Sequence, residues 1–374
     1  MSNNFEHIYY DVNYTNISDK IVDINFIQSR NEPILKNPSN YYLSVIRFTI
    51  PNKTIPIFRY PTKIINNVEI PDDTKFSVTI TVNNNNNIET HQKFVLFEQT
   101  TFLNGYDKFG IYSYNNFLLM INTALASAWI EFTNFTPSEL KQPYFVYNEE
   151  SNGLLSLRVT YPKQDDAFLI NIYMNHELQS QYFQNFQGII NGIDTINLKD
   201  FEFPTYDFYS PIIISENNNY ITYEWKQEVV SIASWNAIRA IIIQSSKLPT
   251  RQDLLNGSSI NTENTTSNIR QLITDFEPLG SGQDSRSRYQ YYPQGEYRLL
   301  DMLSEQPITD LDIKVLWEDK FQNLYPVKLD IGSFLSIKLM FISKDFYHFS
   351  KIENLDWKKM INNKDEYEKI KNKF

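Results

Sequence analysis

The sequence predicts a mainly β protein, a β-sandwich divided by a mixed α+β insertion and flanked by irregular arms. Three observations carry that expectation. Short runs of alternating apolar residues recur along the chain between polar, Asn-rich loops. Aromatic residues make up 15% of the chain, with 25 Tyr and 26 Phe against 10 Gly, a composition that suits pleated, half-buried surfaces. Long helical periods are few, and they fall in the middle of the chain rather than throughout it.

Residues 1–40 read as an N-terminal arm, polar and interrupted by Pro33 and Pro38. The run YYLSVIRFTIP (41–51) is apolar on both faces, as expected for a strand buried between two layers, and Pro51 ends it. KFSVTITV (75–82) sets Phe76, Val78, Ile80 and Val82 against Ser77, Thr79 and Thr81, then runs into five asparagines at 83–87. Residues 41–87 are therefore assigned to the first part of the sandwich.

Between 88 and 222 the texture changes. SYNNFLLMINTALASAWIEF (113–132) places Phe117, Ile121, Leu125, Ala128 and Phe132 on one helical face, with Ser113 as N-cap and Pro137 beyond the end. The segment 144–162 reads as two strands around a turn, 167–174 as a strand, and NHELQSQYFQNF (175–186) as a short amphipathic helix. This is the pattern of a mixed unit inserted into another fold. Strands resume over 223–348, in YEWKQEVVSI, NAIRAIIIQSS (236–246), QLITDFEPL and FLSIKLMFIS (334–343). IKVLWEDKFQNLYPVKLD (313–330) reads as two strands joined at DKFQN, with Asp319 and Lys320 as the solvated tip of a hairpin. The tail 349–374 is rich in lysine and acid and breaks the strand rhythm.

Composition excludes several functions. The chain of 374 residues is long enough for two domains. Its formal charge is −10, from 34 basic and 44 acidic side chains, which argues against coating nucleic acid. With no cysteine there is no disulfide framework or thiolate metal site. No leader pattern or membrane-length apolar run is present, so a soluble protein made in the cytoplasm is expected.

The same holds for catalytic motifs. His7, His91, His176 and His348 are scattered and form no ligand motif, so no metal site is expected. No nucleophile elbow accompanies His176. Four acidic doublets, Asp72–Asp73, Glu149–Glu150, Asp165–Asp166 and Glu318–Asp319, fall where turns are expected. Neighbours on a strand point to opposite faces, and glycosidases need two carboxylates facing one cleft. LGSGQDSRSR (279–288) lacks the Gly-Lys-Ser/Thr ending of a phosphate loop, and its Arg286 and Arg288 are too few for an anion site. Neither a catalytic site nor a cofactor is expected.

Three stretches resemble a known family: RNEPILKNPSNYYLSVIRFTIPNKTIPIF (30–58), QLITDFEPL (271–279) and GEYRLLDMLSEQPITDLDIKVLWEDKFQNLYPVKLDIGSFLSIKLMF (295–341) are similar to the minor capsid, or penton, proteins of virophages of the Sputnik kind and of polinton-like viruses. The resemblance covers the first quarter and last third of the chain. It implies a single jelly roll with an outward-facing insertion, five copies of which close each icosahedral vertex of the virion as a homopentamer. The implied partners are trimers of a major capsid protein, with other minor capsid proteins as further candidates. The protein would be made in the host cytoplasm or viral factory and located at the capsid vertex.

On that reading the subunit interface draws on the arm, the tail and loops 52–74 and 256–290, with Asp319, Lys320, Phe321, Arg286 and Arg288 as candidate contacts. The alternative is a host or giant-virus attachment module on the insertion, binding surface glycans through Tyr206, Phe208, Tyr209, Tyr220 and Tyr223. The plainer reading of those aromatics is core or interface, where Tyr and Phe simply bury area.

Overall fold

A computed structural model describes residues 7–84, 87–99, 105–132, 140–147, 154–163, 168–183, 189–195, 198–203, 212–227, 235, 238–250, 253–254, 269–270, 272–277, 288–293, 298–320 and 323–347. The chain divides into two compact units: Met1–Asn52, Arg239–Pro278 and Ser287–Phe374 form the first, and Lys53–Ile238 with Leu279–Arg286 the second. In chain order the first unit opens with β1 (His7–Thr15), β2 (Asn25–Ser29) and β3 (Tyr41–Pro51). The second contributes β4 (Ser77–Asn84), β5 (Asn87–Phe94), α1 (Tyr114–Ile130), β6 (Tyr144–Tyr147), β7 (Leu155–Pro162), β8 (Leu169–Met174), α2 (His176–Tyr182), β9 (Ile189–Thr195), β10 (Leu198–Phe203), β11 (Ile212–Glu216) and β12 (Tyr220–Lys226). The first unit then resumes with β13 (Ile238–Gln244), β14 (Leu272–Phe276), β15 (Arg288–Tyr291), β16 (Asp310–Asp319), β17 (Leu324–Pro326) and β18 (Phe334–Ser343).

The strand order of the first unit is that of a jelly roll. One sheet runs β1-β18-β3-β15, and the short strand Leu300–Asp301 extends the β15 lane along β3. The other runs β14-β13-β16, with β2 and β17 sharing the fourth lane beside β16. Each sheet is thus four lanes wide, and the chain crosses between sheets as it proceeds from β1 to β2, β2 to β3, β14 to β15, β15 to β16 and β17 to β18. Lys53–Ile238 of the second unit are inserted in the connection from β3 to β13, and its remaining residues, Leu279–Arg286, belong to the connection from β14 to β15.

Alternation along each strand supplies the core. In β18, Leu335, Ile337, Leu339 and Phe341 are all buried, and each such side chain contributes about 1.5–3 kcal/mol relative to exposure. Rings meet across the two sheets: Phe48 of β3 lies edge-on to Phe276 of β14 at 5.3 Å, and Tyr14 of β1 stacks on Phe26 of β2 at 4.4 Å.

The N-terminal segment corrects the sequence reading. Instead of an irregular arm, β1 pairs antiparallel with β18 from His7↔Ile342 to Thr15↔Phe334, and β2 pairs with β16. The alternation is real, but its outward positions carry Tyr9, Asp11 and Asn13, so the strand looks polar. The prolines sit after these strands and break neither. The segment 351–374 lies outside the described residues.

The second unit has its own core. Its sheets run β9-β10-β8-β4-β5 and β6-β7-β12-β11. Here too the sequence reading needs adjusting: 75–82 was assigned to the sandwich, whereas β4 pairs with β5 and β8 inside the insertion. Alternation identifies a half-buried strand but not the sheet it joins. The predicted face of α1 is buried throughout, from Phe117 to Phe132, and packs with Phe58, Phe76, Tyr182 and Trp235. Ser113 occupies the N-cap of α1 without a side-chain capping bond, whereas Asn175 caps α2 by accepting from Leu178 N at 3.3 Å. Trp235 donates its indole N–H to the Tyr182 carbonyl at 2.5 Å, which satisfies the one polar atom of a side chain that is 1% exposed.

Candidate interaction surfaces

The acidic doublet at the end of β16 is divided between two jobs. Glu318 faces Arg239 at 3.9 Å. Asp319 is not a solvated tip: it is 5% exposed and holds the turn closed. Its carboxylate accepts from Asn323 N at 2.8 Å, Asn323 Nδ2 at 3.0 Å and Tyr325 Oη at 3.4 Å, while its own N–H donates to the Asn323 carbonyl at 3.0 Å. Directly behind the turn, the cross-strand pair Trp317 and Tyr325 stack at 4.4 Å. Lys320 is exposed at the start of the loop. Phe321 and Arg286 lie outside the described residues. Arg288 sits on β15, an edge strand, with its guanidinium over the Phe334 ring at 5.1 Å.

Of the five aromatics considered for a surface ligand, Tyr206, Phe208 and Tyr209 lie outside the described residues. Tyr220 and Tyr223 are half-buried on β12 and pack against the insertion core, Tyr223 meeting Tyr161 at 5.9 Å and Trp225 at 5.9 Å. Both are partly buried against that core, and the attachment reading gains no support from them.

The other chemistry-bearing groups are fasteners. Asp72 binds Lys63 at 3.1 Å and Thr74 at 2.8 Å; the Thr74 hydroxyl, with Lys63, holds its carboxyl below the ordinary range against the opposing effect of burial. Asp73 accepts from Phe97 N at 2.9 Å. His91 sits between Glu89 at 2.7 Å and Glu131 at 3.1 Å, and Lys93 pairs with the same Glu131, tying β5 to the C-terminal end of α1. Among the described residues no cluster of His, Cys, Asp or Glu could hold a metal ion, and no helix is long and apolar enough to cross a membrane.

A staple that sequence reasoning missed lies in the jelly roll. Asp312 of β16 is 9% exposed and accepts from Ser245 Oγ at 2.5 Å, Ser246 N at 2.8 Å, Ser246 Oγ at 2.6 Å and Lys247 N at 2.8 Å. Burial acts to raise its pKa, but the two hydroxyls and two amides outweigh that and leave it lowered. The signal available in the sequence was Ser-Ser directly after the apolar run of β13, a common start for a side-chain-closed turn.

The architecture has solved counterparts. A chain of the Sputnik virophage structure determined by cryo-electron microscopy superposes with a TM-score of 0.72 at 25% identity, covering 91% of this chain and 99% of that one. The crystal structure of the mavirus penton protein gives 0.65 at 17% identity, covering 91% and 100%; at that identity the likeness concerns the fold alone. A jelly roll with a folded insertion in one connection, matched over its length by a virion chain, defines a structural protein of a virus capsid.

The chain belongs to the Sputnik minor capsid protein V18/19 family, whose model matches residues 8–343. Structural protein V19 of Sputnik virophage is 30% identical over 122 residues, 32% of this chain, and the match spans only 56% of V19's length. Uncharacterized protein V18 of Sputnik virophage is 33% identical over 135 residues, 30% of this chain and 74% of V18.

Proposed function

We propose that the protein is the penton of an icosahedral virion, five copies closing each vertex among trimers of a major capsid protein, with the insertion facing outward. The observation that carries this is a jelly roll whose strand order is kept although Lys53–Ile238 enter between β3 and β13. A single sandwich can serve as a rigid wall element, and the insertion adds surface without disturbing its strand order. Five-fold closure is a heterologous association in which each copy presents two different faces. The described polar clusters all close turns or join elements, so the role is read as structural rather than catalytic. Within this role Arg288, Asp319, Lys320 and Phe321 stay as candidate interface residues, Asp319 acting by fixing the loop that carries the other two hairpin positions. Native mass spectrometry of the purified 44.2 kDa chain tests the reading: a species of five subunits supports it, and a chain that stays monomeric at all concentrations, alone and with the major capsid protein, refutes it.

A further inference from the structure

One outward sheet face of the jelly roll is covered. Rows of cross-strand neighbours on β1, β18 and β3 alternate between the two faces of their sheet. The row Ile8–Phe341–Leu43 points into the sandwich, whereas His7–Ile342–Tyr42, Tyr9–Met340–Ser44 and Asp11–Lys338–Arg47 point away from it. Such a face is ordinarily wet, and the third row is: Arg47 and Lys338 both pair with Asp11 and all three stay partly exposed. The other two rows differ. Ile342 is 6% exposed, Met340 3% and Ser44 1%, and the Ser44 hydroxyl is buried with no hydrogen-bond partner among the described residues.

Part of the cover is formed by the residues that follow β18. Lys344–Tyr347 make a helical turn. Phe346 meets the His7 ring edge-on at 4.9 Å, Tyr347 meets Tyr42 at 5.5 Å, and Lys344 pairs at 2.5 Å with Asp301, the neighbour of Tyr42 in the next lane. The turn thus straddles β18 at the level of Ile342. One row further on, Met340 and Ser44 are covered too, while Tyr9 in that same row stays 55% exposed. The cover there is narrow, over β18 and β3 but not β1, which is the width of a single segment of chain.

We propose that the segment after Tyr347 folds back as a strap over the outward face of its own sheet, seating Phe349 and Ile352 on Met340 and Ser44. The chain continues from Tyr347 to Phe374, and two residues of extended chain reach about 7 Å, as far as one row lies from the next. At helical spacing from Phe346, the sequence sets Phe349, Ile352, Trp357 and Met360 on one side. Glu353 and Asp356 fall beside them, opposite in sign to Arg47 and Lys338. A carbonyl of the strap supplies the acceptor that the Ser44 hydroxyl lacks. The other chain end that joins here, residues 1–6, brings only Met1 and Phe5. The strap makes part of the fold out of a face that a bare sheet offers to partners, and the inference stands whether or not copies form a ring.

The chain has no cysteine, so introduced thiols are the only ones. In the full-length protein, Ser44→Cys is expected to resist a maleimide, and S44C/F349S/I352S to react at least about tenfold faster, since two apolar anchors are lost. A fast reaction in the first chain, or equal protection in the second, overturns the proposal. A second measurement leaves Phe349 or Ile352 as the only other change: Ser44→Cys combined with Phe349→Cys or with Ile352→Cys, oxidised at high dilution in a mixture of two differently tagged chains. The expected product is a disulfide within one chain. Dimers bearing both tags assign the strap to a second copy and overturn the proposal, as does the absence of any link in both pairs.

Discussion

Replacing Asp312 with alanine removes the acceptor that fastens the end of β13 to β16. Four donors lose their partner at once: two hydroxyls and two backbone amides, at 2.5–2.8 Å. A hydrogen bond to a charged acceptor contributes about 1.5–3 kcal/mol, and a buried donor left unpaired costs about 1–3 kcal/mol. Ser245 is 1% exposed and has no water to turn to, whereas Ser246 and Lys247 are exposed and recover part of the loss. Asp312→Ala should therefore destabilise the jelly roll by about 2–4 kcal/mol, a large share of the ~5–15 kcal/mol typical of a domain. The sign with pH follows from the lowered pKa. A carboxylate with a folded pKa below its unfolded value of about 3.9 stabilises the fold above that value, and the contribution is lost as pH falls through the folded pKa. Urea unfolding at pH 7 and in a series below pH 4, with hydrogen exchange of the 245–248 amides, measures both. A loss under about 0.5 kcal/mol, or an acid limb identical to wild type, would refute the assignment of Asp312 as a staple.

Other substitutions test other parts of the account. Asp319→Ala opens the turn behind the Trp317–Tyr325 stack and should cost about 1–2 kcal/mol, read by urea unfolding, with faster proteolysis at 319–323. Arg59→Gln leaves Glu69 and Asp107 without their cation; in this largely buried site, where the Arg59 side chain is 14% exposed, the expected loss is about 1–3 kcal/mol, measured by thermal unfolding, together with faster exchange of the amides of the Thr62–Pro71 hairpin. Trp235→Ala removes a side chain packed among Tyr114, Phe117, Tyr182 and Phe183 and should cost about 3–5 kcal/mol, detectable as a lowered melting temperature. Gly110→Ala places a methyl 2.8 Å from the Tyr112 ring and 3.0 Å from Pro56, so a measurable fall in melting temperature is expected.

Strands with strong apolar content were legible. Tyr41–Pro51 and Phe334–Ser343 coincide with the predicted runs, and the face of α1 was identified residue by residue, because burial on one side leaves a clear period. His7–Thr15 was missed for the opposite reason: it forms the outer lane of a sheet, and only Val12 is fully buried. The sheet to which Ser77–Asn84 belongs could not be read, since alternation is the same for any half-buried strand. Asp319 looked solvated because a carboxylate in a turn usually is; three donors from Asn323 and Tyr325 reverse that, and they are set by turn geometry rather than by local composition. The stretch around Asp312 carries no sign of its role, because its partners lie about 65 residues earlier in the chain, where the Ser-Ser pair after β13 was the one trace.

The central claim is that this chain closes five-fold vertices. Icosahedral reconstruction of particles assembled from this chain and its major capsid protein tests it most directly. The account predicts five copies of the jelly roll around each five-fold axis with the insertion on the outer surface. Density for the chain at any other position in the shell, or vertices closed without it, would contradict it.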